Sequence, residues 1–201
     1  RAVNYPRDYY EIITVDNGST DHSLEIASKY ADQALIIKNV NVGAVRNFGV
    51  QHSKGSILIF LDSDCLVPNT WLYDGIKLLQ TNQNDAFGGN LYLRKDPAWI
   101  EKYWLLDNPE APLTQRDLLG SCIFIYKKHF EEVSGFNEHV TSGEDSELAV
   151  KLREAGHEVV IDRKLGVVHL GNPITVKEYL KRQIWHSENY IKAFKSSLTD
   201  I

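Results

Sequence analysis

Short apolar runs alternate with stretches of helical periodicity through the first half of this chain. Strands are expected at Tyr10–Val15, Ala34–Ile37 and Ile57–Leu61, and helices at Ser23–Tyr30, Gly43–His52 and Pro68–Gln80. Such alternation implies a doubly wound α/β sheet, because parallel strands need crossovers that lay helices on the sheet faces. The second half is less regular. Strands are expected near Ala86–Leu93, Cys122–Tyr126, Glu158–Ile161 and Val167–Leu170, with helices near Lys127–Val133 and Glu144–Ala155, so the sheet there should be mixed. The chain closes on a long helical stretch, Thr175–Phe194, carrying Lys177, Lys181, Arg182, Lys192 and Lys195 with Trp185, Tyr190 and Phe194 interleaved. No repeat, low-complexity tract or linker divides the sequence, which is read as one domain over residues 1–201.

Within this pattern the run Ile57-Leu58-Ile59-Phe60-Leu61 stops abruptly at Asp62-Ser63-Asp64. A strand apolar on both faces belongs inside a parallel sheet, where ligands gather beyond the carboxyl ends of the strands. If the strand continues, residues i and i+2 share a face, so both carboxylates converge on one hard cation and leave coordination sites for phosphate oxygens. A metal–diphosphate site is the expectation.

Three further segments point to the same sheet edge. Asp16-Asn17-Gly18-Ser19-Thr20-Asp21 follows the first strand and could hold a base or ribose; the plainer reading is a strand-to-helix turn with Thr20 or Asp21 as N-cap. Asn41 to Gly49 reads as a loop entering a helix, with Gly43 permitting the turn and Arg46 free to meet a phosphate or base edge, or simply to be solvated. Thr141-Ser142-Gly143-Glu144-Asp145 puts two carboxylates at a helix start, where the dipole favours the ionised form that a general base needs. The S-x-x-D spacing also fits a capping box closed by Asp145. His169 ends a short apolar strand. It is either a hydrogen-bonded structural histidine or, should that strand finish beside Asp62 and Asp64, a ligand in an Asp/His/water/diphosphate shell around Mn2+ or Mg2+.

Composition narrows the class. A chain of 201 residues is long enough to bury a single core. Its formal net charge of −5 argues against a polyanion-binding surface, so no nucleic-acid partner is expected and phosphate recognition should be local. Cys65 and Cys122 lie in no C-x-x-C or Cys/His pattern, which fits a reducing, cytoplasmic setting, and Asn17-Gly18-Ser19 is read as a chance sequon. No apolar run approaches the roughly 20 residues of a bilayer-spanning helix.

Taken in order, these segments resemble family 2 glycosyltransferases of the Rossmann-like GT-A fold, a mixed central sheet flanked by helices. The resemblance rests on Tyr5-Pro6, Glu11-Ile12-Ile13-Thr14-Val15-Asp16-Asn17-Gly18-Ser19-Thr20-Asp21, Gly43-Ala44-Val45-Arg46-Asn47 and Leu61-Asp62-Ser63-Asp64. It continues through Gly120-Ser121-Cys122, Val133-Ser134-Gly135-Phe136-Asn137-Glu138 and Gly143-Glu144-Asp145-Ser146-Glu147. It implies a nucleotide-binding half, about 1–93, and an acceptor-binding half, about 94–201, with a sugar passing from a nucleotide-diphosphate donor to an acceptor hydroxyl with inversion. Asp145 matches the catalytic base, Asp64 the metal ligand with Asp62 beside it on ribose or metal water, and Asp16, Asn17 and Arg46 the nucleotide side. Glu144, Gly120 and Ser121 fall beside the base or acceptor. A UDP-sugar is the favoured donor, a glycan or lipid-linked molecule the acceptor, and bacterial-type polysaccharide, glycolipid or surface-glycan synthesis the setting.

The chain departs from the family in two places. The family's first strand and helix are missing before Tyr5; together with the opening Arg1 and the absence of methionine, this predicts a further strand–helix unit upstream, without which the core would have a gap. The processive Q-x-x-R-W motif is absent too, Lys181-Arg182-Gln183-Ile184-Trp185 standing in its place. Two rival readings are a non-catalytic nucleotide- or partner-binding module and a sugar-phosphate nucleotidyltransferase, which would need a glycine-rich basic loop near the N-terminus. The final helix is read first as a packing face and second as a peripheral contact with the inner face of a membrane. Trp99, Tyr103 and Trp104, in a loop expected from Lys95 to Arg116, line an acceptor site or merely pack.

Overall fold

The computed structural model describes residues 3–81, 85–105 and 118–199, with side chains at all of these except 104, 105 and 188–199. Trp104, Tyr190, Lys192, Phe194, Lys195 and Arg116 therefore lie outside the described side chains. In chain order the elements are β1 (Ile13–Asp16), α1 (Ser23–Tyr30), β2 (Gln33–Ile36), α2 (Val42–Gln51), β3 (Ile57–Phe60), β4 (Cys65–Leu66), α3 (Trp71–Thr81), β5 (Ala86–Gly88) and β6 (Leu91–Tyr92). They continue with α4 (Trp99–Leu105), β7 (Ile123–Tyr126), α5 (Lys127–Glu132), α6 (Glu144–Glu154), β8 (Val159–Ile161), β9 (Val167–His169) and α7 (Val176–Thr199).

The core is organised by β7. This strand lies antiparallel between β3 and β5, and β5 in turn pairs parallel with β8, which makes the sheet mixed. Alternation along β7 sends Ile123 and Ile125 into one layer with Leu58, Phe60, Phe130, Phe136, Leu148 and Leu152. It sends Phe124 into the other, with Trp71, Leu72, Leu79, Phe87 and Leu165. Helices therefore cover both faces, as the wholly apolar β3 and β7 require.

The expected single doubly wound sheet is divided. Among the described residues β1 pairs only with β2, in parallel, while β3 is the edge of its own sheet. No residue of β1 or α1 is fully buried, although β1 carries the apolar pattern of an interior strand.

Other expectations also need correcting. The strand over Ala86–Leu93 is two strands in different sheets: a Cβ on Gly89 would stand 2.2 Å from the Leu165 carbonyl oxygen and 2.3 Å from Cys122 Sγ, and the chain turns at that close crossing. The loop expected over Lys95–Arg116 contains α4, where Trp99 and Tyr103 are both exposed. The strand before the two aspartates stops at Phe60; Asp62 to Cys65 form a turn closed by the Cys65 N–H on the Asp62 carbonyl, 3.1 Å, so the two carboxylates do not share a strand face. The short strand β4 that follows was not anticipated, and it is what registers Cys65 opposite His169 of β9.

Candidate active site

Beyond the carboxyl end of β3 opens a cavity of about 510 Å³, lined by residues from both halves of the chain. Val42, Arg46 and Asp62 come from the first half, Gly120, Ser121, Glu144 and Asp145 from the second. Arg46, on the first turns of α2, is its hub. One guanidinium nitrogen donates to Glu144 and another to Asp62 Oδ1 at 3.0 Å, while the Phe136 ring lies 5.4 Å below the guanidinium carbon. The Arg46 and Glu144 side chains are only 13% and 6% exposed. Burial pushes the Glu144 carboxyl above its usual pKa and the neighbouring Asp145 charge adds to this, while Arg46 pulls it back. Gly120 makes the arrangement possible, because a Cβ there would lie 2.3 Å from the guanidinium.

Asp145 is held from two sides. Its Oδ2 accepts the Gly120 N–H and its Oδ1 the Ser146 N–H, both at 2.8 Å. The capping box does not form: the N-cap is Gly143 at φ +81°, and Ser142 Oγ turns to the backbone carbonyls of Trp185 and His186 on α7. The carboxylate is thus left to face the cavity. A carboxylate offers about four lone-pair positions, so two backbone donors leave room for an incoming hydroxyl.

His169 lines the cavity and meets Asp64, which stands just outside the lining, with 3.6 Å between Asp64 Oδ1 and His169 Nε2. Asn172 donates through Nδ2 to the His169 carbonyl, 3.0 Å, which aims its Oδ1 at His169 Nδ1, 3.1 Å. This contact selects Nδ1 as a donor, and the neutral ring with that tautomer turns its Nε2 lone pair to the carboxylate, an arrangement that suits a shared cation. Asp64, Cys65 and His169 offer ligand atoms all within 4.8 Å of one another. Cys65 fits a metal less well, since burial and the Asp62 and Asp64 charges push its thiol up to about 12. The residues present thus fit a hard divalent cation through oxygen and imidazole.

Some predicted residues are not brought to the cavity lining. Asp16 Oδ2 accepts the N–H groups of Gly18 and Ser19 at 2.9 and 3.0 Å, and the Ser19 side chain foremost, with these two N–H groups, holds its carboxyl below its usual pKa. Asn17 donates to the Val40 carbonyl at 2.9 Å. Both shape the turn after β1. Gly43 is required by close approach rather than by a turn, since a Cβ there would stand 2.4 Å from the Asn137 carbonyl oxygen.

Other residues were missed. Arg182, Trp185 and His186 of α7, together with Asn90 and Asn172, line the same cavity. Burial and the Arg182 charge hold the His186 imidazole below its usual pKa, with Asp145 opposing them. Their signal was in the sequence: positions i, i+3 and i+4 share a helix face.

The sequence profile of glycosyl transferase family 2 matches residues 1–130. Glycosyltransferase AglE of Haloferax volcanii is 30% identical over 194 residues, covering 90% of this chain and 63% of that protein. The cholesterol galactosyltransferase of Borreliella burgdorferi is 31% identical over 128 residues, covering 61% of this chain and 36% of the relative. Among solved structures, the Pyrobaculum calidifontis mannosyltransferase PcManGT in complex with GDP-Man and Mn2+ superposes with a TM-score of 0.70 at 20% identity, over 100% of this chain and 58% of that one. S. aureus TarS 1-349 in complex with UDP-GlcNAc superposes at 0.66 and 17% identity, over 83% of this chain and 50% of the other. The fold is GT-A, and the chain spans 63% or less of the length of each of these relatives.

Proposed function

Because the chain belongs to glycosyl transferase family 2, we propose that it moves a sugar from a nucleotide-diphosphate donor to an acceptor hydroxyl by metal-assisted inverting displacement. The observation that carries this reading is Asp145, held by two backbone N–H groups at the cavity wall with the Asp64–His169 pair at the rim. Asp145 takes the acceptor proton as the oxygen attacks, and Gly120 and Ser146 keep its carboxylate in place through that transfer. Arg46, anchored by Glu144, orients Asp62 toward the donor; Asp16 and Asn17 shape the loop on the nucleotide side. Asp64 and His169 would hold a Mn2+ or Mg2+ ion, which when bound stabilises charge developing on the diphosphate leaving group.

The test is thermal stabilisation by UDP, GDP and dTDP, each with and without Mn2+, on this chain and on Asp64→Ala. A ligand at about 100 times its Kd should add roughly 2.7 kcal/mol to the native state. We expect metal-dependent stabilisation by one nucleotide, UDP first, and its loss in the variant. Equal stabilisation of both proteins, or stabilisation independent of Mn2+, would refute the metal assignment. No response to any nucleotide would favour a non-catalytic module.

The exposed side chains of Val176, Leu180 and Ile184 lie along one side of α7, with Lys177 and Lys181 beside them, which supports the peripheral-membrane reading over simple packing. No helix among the described residues is long and apolar enough to cross a membrane. A lipid-linked acceptor at the cytoplasmic face suits this stripe. Co-sedimentation with anionic vesicles should weaken as salt rises and fall in the double variant Leu180→Ser with Ile184→Ser; binding indifferent to salt and to both changes would count against it.

A further inference from the structure

We propose a second metal site at the opposite end of the central sheet, formed by Asp85, His129 and His157 and suited to a zinc-like divalent ion. Asp85 immediately precedes β5, His157 closes the turn into the parallel strand β8, and His129 lies in α5 directly after the antiparallel β7. All three therefore gather where β5 and β8 begin, whereas Asp62 follows the end of β3 at the other edge. The nucleotide-diphosphate reading uses none of them.

The spacing is that of ligands around one ion. His129 Nδ1 lies 3.2 Å from Asp85 Oδ1, and His157 Nδ1 lies 3.4 Å from Asp85 Oδ2. Zinc–nitrogen and zinc–oxygen bonds near 2.0–2.1 Å at tetrahedral angles put neighbouring ligand atoms about 3.3 Å apart. The His129 and His157 rings stack, with centroids 4.2 Å apart and planes at 25°, and each turns its Nδ1 to a different oxygen of the Asp85 carboxylate. The three groups offer ligand atoms all within 4.8 Å of one another.

The hydrogen bonding leaves the ligand atoms open. His157 Nε2 faces Glu132 Oε2 at 3.0 Å; in the neutral tautomer that donates there, Nδ1 presents its lone pair toward Asp85. His129 Nδ1 is buried and makes no hydrogen bond, although the Asp85 carboxylate is close; the side chain is only 10% exposed. A buried nitrogen without a hydrogen bond and a second lone pair directed at the same carboxylate are both satisfied by one cation. Asp85 is fixed independently, since its Oδ2 accepts the Glu158 N–H at 3.1 Å. Asp85 and His157 are 26% and 13% exposed, enough for an ion to enter and keep a water as fourth ligand. Bound there, the ion would clip α5 to the starts of β5 and β8.

The experiment measures Zn2+ binding, and the visible spectrum of added Co2+, on tag-free protein carrying Asp64→Ala, which removes the donor-side ligand. We expect one Zn2+ per chain and a Co2+ spectrum of low-coordinate imidazole ligation. Adding His157→Gln should abolish both. In a chain with native Asp64, His157→Gln alone should leave nucleotide–Mn2+ stabilisation intact, which also reports that the variant is folded. Should His157→Gln fail to fold, Glu132→Gln decides, with Zn2+ affinity expected to fall roughly 10- to 100-fold. Absence of Zn2+ binding to the Asp64→Ala protein, or binding untouched by these histidine and glutamate changes, would overturn the proposal.

Discussion

Asp145→Asn is expected to lower kcat by about two to four orders of magnitude, the usual contribution of a positioned general base, while nucleotide–Mn2+ stabilisation stays close to that of the unchanged protein. The expectation follows from how the carboxylate is held. Both of its oxygens accept backbone N–H groups, from Gly120 and from Ser146, so its direction is fixed before any acceptor arrives. Asparagine keeps the shape but can satisfy only one of these donors with its oxygen, and its NH2 must face the other. That mismatch costs roughly 1–3 kcal/mol, the penalty for a buried donor left unmet. It is a small loss for a domain and leaves the variant measurable. Single-turnover transfer with saturating donor separates the two effects, because a role confined to holding Gly120 would reduce stability and leave the chemical step unchanged. Near-normal kcat in a folded variant would remove Asp145 from the mechanism.

The sequence made the local elements legible where one period dominated. Ser23–Tyr30 emerged with the bounds expected, and β3, β7, β8, β9, α5 and α6 shifted only at their ends. Pairing was less legible. The turn at Asp62–Cys65 and the crossing at Gly89 are set by what lies across the sheet, namely the registered β9 and the Leu165 carbonyl, and no local pattern reports a neighbour from elsewhere in the chain. The same limit governs the cavity. Asp62, Asp64, Arg46, Glu144 and Asp145 stood out because charge at the end of an apolar strand or at a helix start is conspicuous. Arg182, Trp185 and His186 did not, because a basic aromatic helix face has commoner explanations; it took the packing of α7 over Ser142 to turn that face inward. Asp85, His129 and His157 lie far apart in sequence and carry no spacing motif, so only the fold could bring them together.

Arg46→Met should destabilise the protein by roughly 3–5 kcal/mol, the range for removing one partner of a buried ion pair. Methionine restores most of the side-chain volume beside Phe136, so the loss reports charge more than packing. What remains is Glu144, buried next to Asp145 with its counter-charge gone. The pair with Asp62 is lost as well, but Asp62 is more exposed and water compensates there. Arg46→Lys should recover only part of the stability, since an ammonium cannot reach in two directions as the guanidinium fork does. Adding Glu144→Gln to Arg46→Met should recover more, because it removes the stranded charge itself. The effect also has a pH signature. Burial and Asp145 raise the folded-state pKa of Glu144, and losing Arg46 raises it further, so the folded state takes up a proton more readily than the unfolded chain. The deficit should therefore be smallest below the ordinary glutamate range and grow as pH rises through the folded-state value. Urea denaturation of the four proteins across that range tests the account. An unfolding midpoint in Arg46→Met unchanged at neutral pH, or a deficit that deepens on acidification, would show that Glu144 does not depend on Arg46.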